Sequence, residues 1–461
     1  MSPGYDAAPE PLVLAGGTVI TGDGSTVIDE ASVVVAGRLI ADVVPGKLDH
    51  ARAWDLSGCY VFPGLINHHT HGCTFGPLYP SAAPALDEDA VLRNLDRHLL
   101  AGTTTILNLD GFALPEEVTR AQDLHPVNIK SASSHTPLNL RAAELADGSG
   151  LTPRHRQARV EAMVQAGAVA VGEIGGGHTL GGGGQEYLYI PRAVKQATGV
   201  DISPRLARKL KVAVLGRHVD PGSYDPEALK RAMTEAGLES RISPERLRVL
   251  IAESVLPSFQ VAIDGFREAA EVARGLGLPL VVHNSAPSKQ AVLALAKEGF
   301  RFIAAHCNHD TFELQEALEV ARRLRSLGVL VDVATFDSFG GSADPSPPEY
   351  FFAFLESGLV DLLSTDYAGG SFDPIWAGIR AAVQKRVITL PRAVALATSN
   401  VADAFPLLAP GRGTIARGKV ADLVAVDKED LGRFRLVMIG GKVVVWQGSK
   451  VSGLGDWTES R

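Results

Sequence analysis

The sequence predicts an α/β protein in which a (β/α)8 TIM-like barrel carries a small β-sandwich domain built from both ends of the chain. Three features predict it: eight short apolar segments typical of buried strands, helical patterns between nearly all of them, and turn-rich β segments at both ends. Repeated βα units require a parallel sheet, and eight units close naturally into a barrel. We therefore assign residues 1–60 and 409–461 to the small domain and residues 61–408 to the barrel. An open, doubly wound sheet is the alternative.

The length and charge of the chain limit the classes of protein to which it can belong. At 461 residues it exceeds a single core, and its formal charge of −8 argues against nucleic acid or an anionic membrane as the main partner. The first ten residues lack the basic and apolar stretches of a signal peptide. Three scattered cysteines, Cys59, Cys73 and Cys307, are too few for a disulfide framework. We expect a cytoplasmic protein.

The small domain is predicted from short apolar runs separated by glycine and aspartate turns. Gly16-Gly17, Asp23-Gly24 and Gly440-Gly441 mark hairpin turns between such runs. The predicted strands are Leu12–Leu14, Thr18–Ile20, Ala31–Val35 and Arg38–Val43 near the N-terminus, and Gly413–Ile415, Ala421–Val426, Leu436–Ile439 and Lys442–Trp446 near the C-terminus. Two unrelated hairpins are the alternative to one shared domain.

The barrel is predicted from the alternation in the middle of the chain. The strand candidates are Val61–Asn67, Thr103–Leu109, Val127–Ser131, Val169–Ile174, Leu278–His283, Phe300–His306, Val329–Thr335 and Val360–Thr365. The helix candidates are Asp89–Ala101, Pro153–Ala166, Ser258–Leu276, Lys289–Lys297, Thr311–Leu327, Pro348–Ser357 and Pro391–Ala404. Residues 185–257 interrupt the alternation with further helical stretches, Pro204–Val212 and Pro226–Ala236 among them, and we expect an insertion at the active-site end.

Donor side chains end five of the predicted strands. His69 and His71 end the first strand, and their spacing of two puts both imidazoles on one face, whereas His68 points the other way. The others are Glu173, His283, His306 and Asp366, at the ends of strands four, five, six and eight. Functional residues of barrels gather at the C-terminal ends of strands. Any one of these side chains alone is readily explained as a structural residue, but their conjunction favours a metal site.

The sequence resembles the amidohydrolase superfamily of metal-dependent hydrolases. The resemblance covers nearly the whole chain and lies in Pro63-Gly-Leu-Ile-Asn-His-His-Thr-His71, with Asn67 where aspartate is commoner, and in Ala397-Thr-Ser-Asn400 followed by Gly411-Arg-Gly-Thr-Ile-Ala-Arg-Gly-Lys-Val-Ala-Asp-Leu-Val424. It implies the barrel and sandwich described above. Glu173, together with Gly175-Gly-Gly-His-Thr-Leu-Gly181, is most similar to the enamidase-type branch, which opens a cyclic amide.

The resemblance implies two divalent metal ions, with zinc first and iron, manganese or cobalt as alternatives. His69, His71 and Asp366 would bind one ion and His283 and His306 the other. Glu173 would bridge the two, at the place where many members carry a carbamylated lysine. A homo-oligomer, in particular a tetramer, is also implied.

The ligands imply metal-dependent hydrolysis of a C–N bond in a cyclic amide, imide or related small molecule, by a metal-bridging hydroxide. Asp366 would be the general acid and base, and His178 a second catalytic candidate, acting either behind the metal ligands or at the oxyanion. Residues after strand ends are candidate substrate contacts: His135, Asn284, Asn308, His309 and Tyr367.

Three other functions are weighed against this one. An N-acyl amino acid deacylase stays open. An aromatic-ring deaminase is disfavoured, because Asn284 rather than a glutamate follows His283. A metal-free scaffold protein is disfavoured because all the ligand-type residues are retained.

Overall fold

The computed structural model describes residues 11–181, 184–336, 338–339, 347–369 and 372–451. These residues form two sheets, one of nine strands and one of eight parallel strands, with the helices packed mainly around the second. The α/β fold predicted from the sequence, a (β/α)8 barrel with a small β domain made from both termini, is confirmed.

The N-terminal segment contributes five of the nine strands of the small sheet. Its strands are β1 (Leu12–Ile20), β2 (Val27–Ala36), β3 (Leu39–Pro45), β4 (Ala53–Asp55) and β5 (Cys59–Pro63). β1, β2 and β3 form an antiparallel meander, and β1 also pairs in parallel with β4 and β5. The predicted strands Leu12–Leu14 and Thr18–Ile20 are one strand, because the pairing with β2 continues past Gly17 through a shift in register.

The second sheet is the barrel. Its strands are β6 (Leu65–Thr70), β7 (Thr103–Asn108), β8 (Asn128–Ser133), β9 (Ala170–Ile174), β10 (Leu280–His283), β11 (Ile303–Ala305), β12 (Leu330–Ala334) and β13 (Leu362–Ser364). They pair in chain order. The backbone closes the barrel between the last and first strands, because the amide of Asp366 donates to the carbonyl of His69 at 3.0 Å and that of His71 donates to Tyr367 at 2.9 Å.

Helices connect the barrel strands. They are α1 (Glu88–Leu100), α2 (Pro115–Leu124), α3 (Pro137–Ala146), α4 (Pro153–Gln157), α5 (Val160–Gln165), α6 (Gly177–Leu180), α7 (Ile190–Thr198), α8 (Pro204–Leu215), α9 (Pro226–Glu235), α10 (Pro244–Leu276), α11 (Lys289–Lys297), α12 (Leu314–Ser326), α13 (Pro348–Glu356), α14 (Ile375–Gln384), α15 (Leu390–Leu396) and α16 (Ser399–Ala404). The predicted helix Pro153–Ala166 is the pair α4 and α5, and the predicted helix Pro391–Ala404 is the pair α15 and α16. Helices α2, α3, α6 and α14 were not predicted from the sequence.

The C-terminal segment completes the small sheet. It contributes β14 (Leu423–Asp427), β15 (Phe434–Ile439), β16 (Lys442–Trp446) and β17 (Ser449–Lys450), which follow one another in the sheet and join it where β14 pairs with β5. The predicted strand Gly413–Ile415 is wrong. This segment is an irregular connection, with Gly413 at a φ of +87° and the Ile415 amide donating to Thr21.

The predicted strand Val61–Asn67 is two strands that belong to different sheets. β5 ends at Pro63 in the small sheet, and β6 begins the barrel at Leu65. Gly64 lies between them, where an added Cβ would sit 2.2 Å from the Thr104 hydroxyl. Only a residue without a side chain fits this crossing. The small sheet therefore extends beyond the predicted boundary at residue 60.

The predicted insertion is a helical unit with its own core. It consists of a π-helical turn (Gln185–Tyr189), α7, α8, α9 and the first half of α10, and the predicted helix Ser258–Leu276 is the second half of α10. The buried side chains of this core include Val194, Leu210, Leu229, Leu247 and Ile251.

Helix α10 is long and apolar enough, by length and composition alone, to cross a membrane. Its buried residues recur at helical spacing: Leu247, Ile251, Val255, Ser258, Ala262, Phe266, Ala269 and Ala273. Such a stripe along one face is typical of a helix that packs on a protein core, and α10 packs on α3 and β9.

Candidate metal centre

Two histidines from β6 and its end meet an aspartate that follows β13. His69 Nε2 lies 3.3 Å from Asp366 Oδ1, and His71 Nε2 lies 3.4 Å from the same oxygen. The imidazoles face each other at 5.4 Å between ring centres, so the predicted same-face orientation is what the structure has. His306 and Asp366 both adopt positive φ angles, +35° and +46°. Non-glycine residues seldom adopt this region, and those that do cluster at functional sites.

Glu173, at the end of β9, lies between two pairs of histidines. Its Oε1 is 2.9 Å from His283 Nδ1 and 3.1 Å from His306 Nε2. Its Oε2 is 3.8 Å from both His69 Nε2 and His71 Nε2. One carboxylate oxygen thus faces each pair, which is the arrangement that the predicted bridging role requires. Metal binding by these six residues stays a prediction.

The donor set fits divalent metal ions. Three overlapping triads, each with donor atoms within 4.8 Å of one another, could hold a metal ion; they are His69, His306 and Asp366; His69, His71 and Glu173; and Glu173, His283 and His306. Both ring nitrogens of His69, Nε2 of His283 and Nδ1 of His306 are buried and have no hydrogen-bond partner among the described residues. Buried polar atoms are seldom left unpaired, and imidazole with carboxylate is the donor set that zinc, iron, manganese and cobalt accept.

Both carboxylates of the cluster are anionic. Burial raises the pKa of Glu173, but His283 and His69 outweigh it and hold that pKa well below its usual range. Burial likewise raises the pKa of Asp366, which His69 and His306 bring below its ordinary value. Two negative charges among imidazoles are suited to a cationic ligand.

Asp110, which the sequence analysis missed, orients His71. Asp110 Oδ1 lies 3.0 Å from His71 Nδ1 and accepts a hydrogen bond from the Tyr79 amide, and Oδ2 accepts one from the Gly72 amide. Burial lowers the pKa of His71, but its contacts with Asp110 and Asp366 raise it to about 10. A carboxylate behind a metal-binding histidine sets its tautomer and ring orientation. The signal was available, since Asp110 follows the second predicted strand.

Asp332 in β12, which was not predicted either, holds the backbone of His306 rather than its ring. Its Oδ2 accepts hydrogen bonds from the His306 amide at 2.9 Å and from Ser364 Oγ at 3.0 Å. Its Oδ1 lies 3.2 Å from Nε2 of His68, which stays outside the metal cluster as expected. Asn67 links the first and last strands of the barrel, because its side-chain amide donates to Thr365 Oγ1 at 2.8 Å.

His178 lies beside the cluster, in the single turn of α6. Its Nδ1 is 3.1 Å from Ser81 Oγ, and its ring packs 4.5 Å from that of Tyr79, which in turn lies 5.7 Å from the His71 ring. Burial and the nearby His71 lower the pKa of His178 to about 4, so its imidazole is neutral at pH 7. A catalytic role for His178 stays a prediction.

The five predicted substrate contacts have different surroundings. His135 lies 3.0 Å from Ser133 Oγ, while the buried amide of Asn284 has no nitrogen or oxygen partner among the described residues. Asn308 donates to Ala334 O and accepts from Ala334 N, so both ends of its amide are used by the backbone of β12. The remaining two are His309, whose ring is 5.3 Å from that of His306, and Tyr367, whose hydroxyl accepts from Arg97.

Comparisons with known proteins bear on the family and on the fold. The model of the amidohydrolase family matches residues 60–444. An allantoinase from Salmonella paratyphi B is 23% identical over 460 residues, covering 91% of this chain and 86% of that protein. The β-aspartyl dipeptidase of Fervidobacterium islandicum AW-1, solved with a β-Asp-Leu dipeptide, superposes with a TM-score of 0.58 at 15% identity over 98% of this chain and 100% of that one. A D-hydantoinase gives 0.50 at 16% identity over 95% and 96%.

The family match covers most of the chain, whereas the structural likenesses bear on the fold alone. The predicted resemblance is confirmed at the level of the superfamily, and with it an enzyme that acts on carbon–nitrogen bonds other than peptide bonds. The finer likeness to the enamidase-type branch stays a prediction. The chain belongs to the amidohydrolase family.

Proposed function

We propose that this amidohydrolase opens a C–N bond in a cyclic amide, imide or related small molecule, using two divalent metal ions held by the six-residue cluster. The observation that carries the proposal is the position of Glu173, with one carboxylate oxygen toward His69 and His71 and the other toward His283 and His306. A relative named for allantoin and a structural neighbour named for hydantoin support a cyclic substrate.

The proposal assigns His69, His71 and Asp366 to one ion, His283 and His306 to the other, and Glu173 to both. Zinc is the first candidate, and iron, manganese or cobalt would suit the same donors. When bound, such ions polarise a carbonyl and lower the pKa of water toward neutrality.

Asp366 is the proposed general acid and base. Its side chain is 17% exposed, against 4% or less for the other five members of the cluster, so it is the member that faces the barrel mouth. Its lowered pKa keeps it ionised and able to take the proton of the attacking water. The same carboxyl group then returns that proton to the leaving nitrogen.

His178 is the proposed stabiliser of the oxyanion. Its Nδ1 is engaged with Ser81, which leaves Nε2 for a substrate oxygen. Because its pKa is about 4, the imidazole is neutral and donates a hydrogen bond without adding a charge that would repel the metal ions.

The proposal is tested by a hydrolysis screen of purified protein whose metal content has been measured. The substrates are lactams, hydantoins, cyclic imides and N-acyl amino acids, and ring opening is followed by proton release at constant pH. We expect activity on at least one cyclic class, and a loss of about 10²–10⁴-fold in kcat for Asp366→Asn. Asp49→Asn, on the exposed surface of the small domain, is the matched control.

Three results would count against the proposal. Hydrolysis of N-acyl amino acids alone would support the deacylase instead. Full activity of metal-free protein would exclude the metal mechanism. An Asp366→Asn variant as active as Asp49→Asn would show that Asp366 is not the general acid and base.

A further inference from the structure

A cavity lies next to the candidate metal centre. It has a volume of about 320 Å³ and is enclosed by one face of α1 and by the loops that follow β6 and β13. Its wall includes Arg93 and Arg97 of α1, together with His71, Tyr79 and Tyr367. This volume is at the lower end of the range for small-molecule sites and is enough for one substituent of a substrate.

The two arginines in this wall carry charge that the described part of the chain does not neutralise. Arg97 Nη1 donates to Tyr367 Oη at 2.5 Å, and its guanidinium lies 5.9 Å from the centre of the Tyr367 ring. No carboxylate of the described residues lies within ion-pair distance of either guanidinium. By contrast Arg120 of α2 is paired with Glu88, at the start of α1, at 2.5 Å. Both arginines are exposed, and the cavity brings their two positive charges together without a counter-charge from the described residues.

The cavity is in direct contact with the metal centre. His71 belongs to both, since it lines the cavity while its Nε2 lies 3.4 Å from Asp366 Oδ1. Tyr367 follows Asp366 in the chain and accepts a backbone hydrogen bond from His71 at 2.9 Å. The side chain of Tyr367 therefore spans the distance from the aspartate to the guanidinium of Arg97. A ligand held by Arg97 would have its other end beside the cluster.

We propose that this cavity binds a carboxylate of the substrate, so that the substrate is an anionic amide with its acidic substituent on Arg93 and Arg97. The planar fork of a guanidinium matches the two oxygens of a carboxylate, and a charge-assisted pair is stronger than a neutral hydrogen bond. This inference rests on the proposed function, because it names the class of substrate for the same centre. It makes Arg93 and Arg97 determinants of specificity, distinct from the groups that carry out the reaction.

The test uses two hydantoins that differ only in charge: one bears a carboxymethyl group at C5 and the other the corresponding primary amide. We measure kcat/KM for both with the metal-loaded enzyme. A charged hydrogen bond to an arginine pair predicts a preference for the carboxylate of about 10- to 100-fold in the wild type. That ratio should fall toward one in the Arg93→Gln/Arg97→Gln double variant and be kept in part by Arg97→Lys. Arg322→Gln, an exposed arginine of α12, is the matched control and should keep the full preference.

Replacing Arg97 also removes its hydrogen bond to Tyr367, so that variant changes the protein's own contacts as well as the cavity. The single variant Arg93→Gln changes the cavity alone. Arg93 makes no hydrogen bond or ion pair with the described residues, so this single variant should fold normally and still lose part of the preference. An equal kcat/KM for the two probes in the wild type, or a preference that survives in the double variant, would overturn the anion site while leaving the proposed function intact.

If neither hydantoin is hydrolysed, the failure concerns the proposed function, and calorimetric binding of the same two probes decides the anion site. Tighter binding of the carboxylate by about 10-fold, abolished in the double variant, would support the site. A difference unchanged by the double variant would place the carboxylate elsewhere and overturn it.

Discussion

Replacing Glu173 by glutamine tests the arrangement on which the metal centre depends. The substitution keeps the size of the side chain and removes one negative charge. It also replaces one of the two carboxylate oxygens by an amide nitrogen. Those oxygens now lie 2.9 and 3.1 Å from imidazole nitrogens on one side and 3.8 Å from imidazole nitrogens on the other. If Glu173 binds both ions, the variant weakens two metal sites with a single change.

The size of the effect follows from burial. Glu173 is 3% exposed, and removing one partner from a buried set of charges costs about 3–5 kcal/mol. Such a loss corresponds to metal binding weaker by about 10²–10⁴-fold. We therefore expect the purified variant to hold fewer than two ions per chain after dialysis against a weak chelator, under conditions where the wild type keeps both.

The assay is elemental analysis of wild type and variant dialysed side by side, with circular dichroism to show that both are folded. Glu117→Gln is the matched control, because Glu117 also lies against a histidine, with Oε2 3.2 Å from His155 Nε2, and belongs to none of the metal triads. Two ions retained by Glu173→Gln, with affinity within threefold of the control, would refute the bridging role and the reasoning from the carboxylate geometry.

Three further predictions concern stability. Burial lowers the pKa of His98 to about 3, below its value in the unfolded chain, so the unfolded state takes up the proton first on acidification. The stabilising contribution of neutral His98 is complete above about pH 6.5 and declines by up to about 1.4 kcal/mol per pH unit below it. Denaturant titrations from pH 7 to 5 should show this slope in the wild type and a shallower one in His98→Gln, and equal slopes would contradict it. Phe62 is fully buried and stacks on Trp376 at 4.6 Å between ring centres. Phe62→Ala should therefore lower the free energy of unfolding by about 3–5 kcal/mol. A loss below about 1 kcal/mol would show that the contact contributes little. Glu186→Gln should lower the free energy of unfolding by about 3–5 kcal/mol, because it leaves Lys211, which is 2.5 Å away and also buried, without its counter-charge. The double variant Glu186→Gln/Lys211→Met should recover most of that loss in the same denaturant assay. A neutral Glu186→Gln would contradict this.

The local sequence pattern was sufficient to predict the barrel strands and the residues at their ends. The alternation of side chains along an extended strand depends only on neighbouring residues, so the spacing of His69 and His71 already puts them on one face. The parallel barrel then brings the ends of all its strands to one mouth. For this reason His283, His306 and Asp366 could be grouped with them from the sequence, although up to 297 positions separate the members of the group.

The contacts that support these residues could not be read in the same way. Asp332 lies in the middle of a strand whose pattern marks it as one residue of a buried run, and only its distance from His306 and His68 shows what it does. The boundary between the two sheets was equally hidden. The apolar run around Gly64 continues without interruption, yet β5 ends at Pro63 in the small sheet and β6 begins at Leu65 in the barrel, with Gly64 packed against Thr104 between them.

The sequence by itself determined the fold class, the number of barrel strands and the six donor residues of the candidate metal centre, because each is set by short-range periodicity or by one motif. Tertiary structure alone decided which carboxylate oxygen of Glu173 faces which pair of histidines, and it placed Arg93 and Arg97 at a cavity that His71 shares. These are relations between side chains from different βα units. Their distances depend on barrel closure and on the way α1 packs against two loops, and no local pattern of residues encodes either.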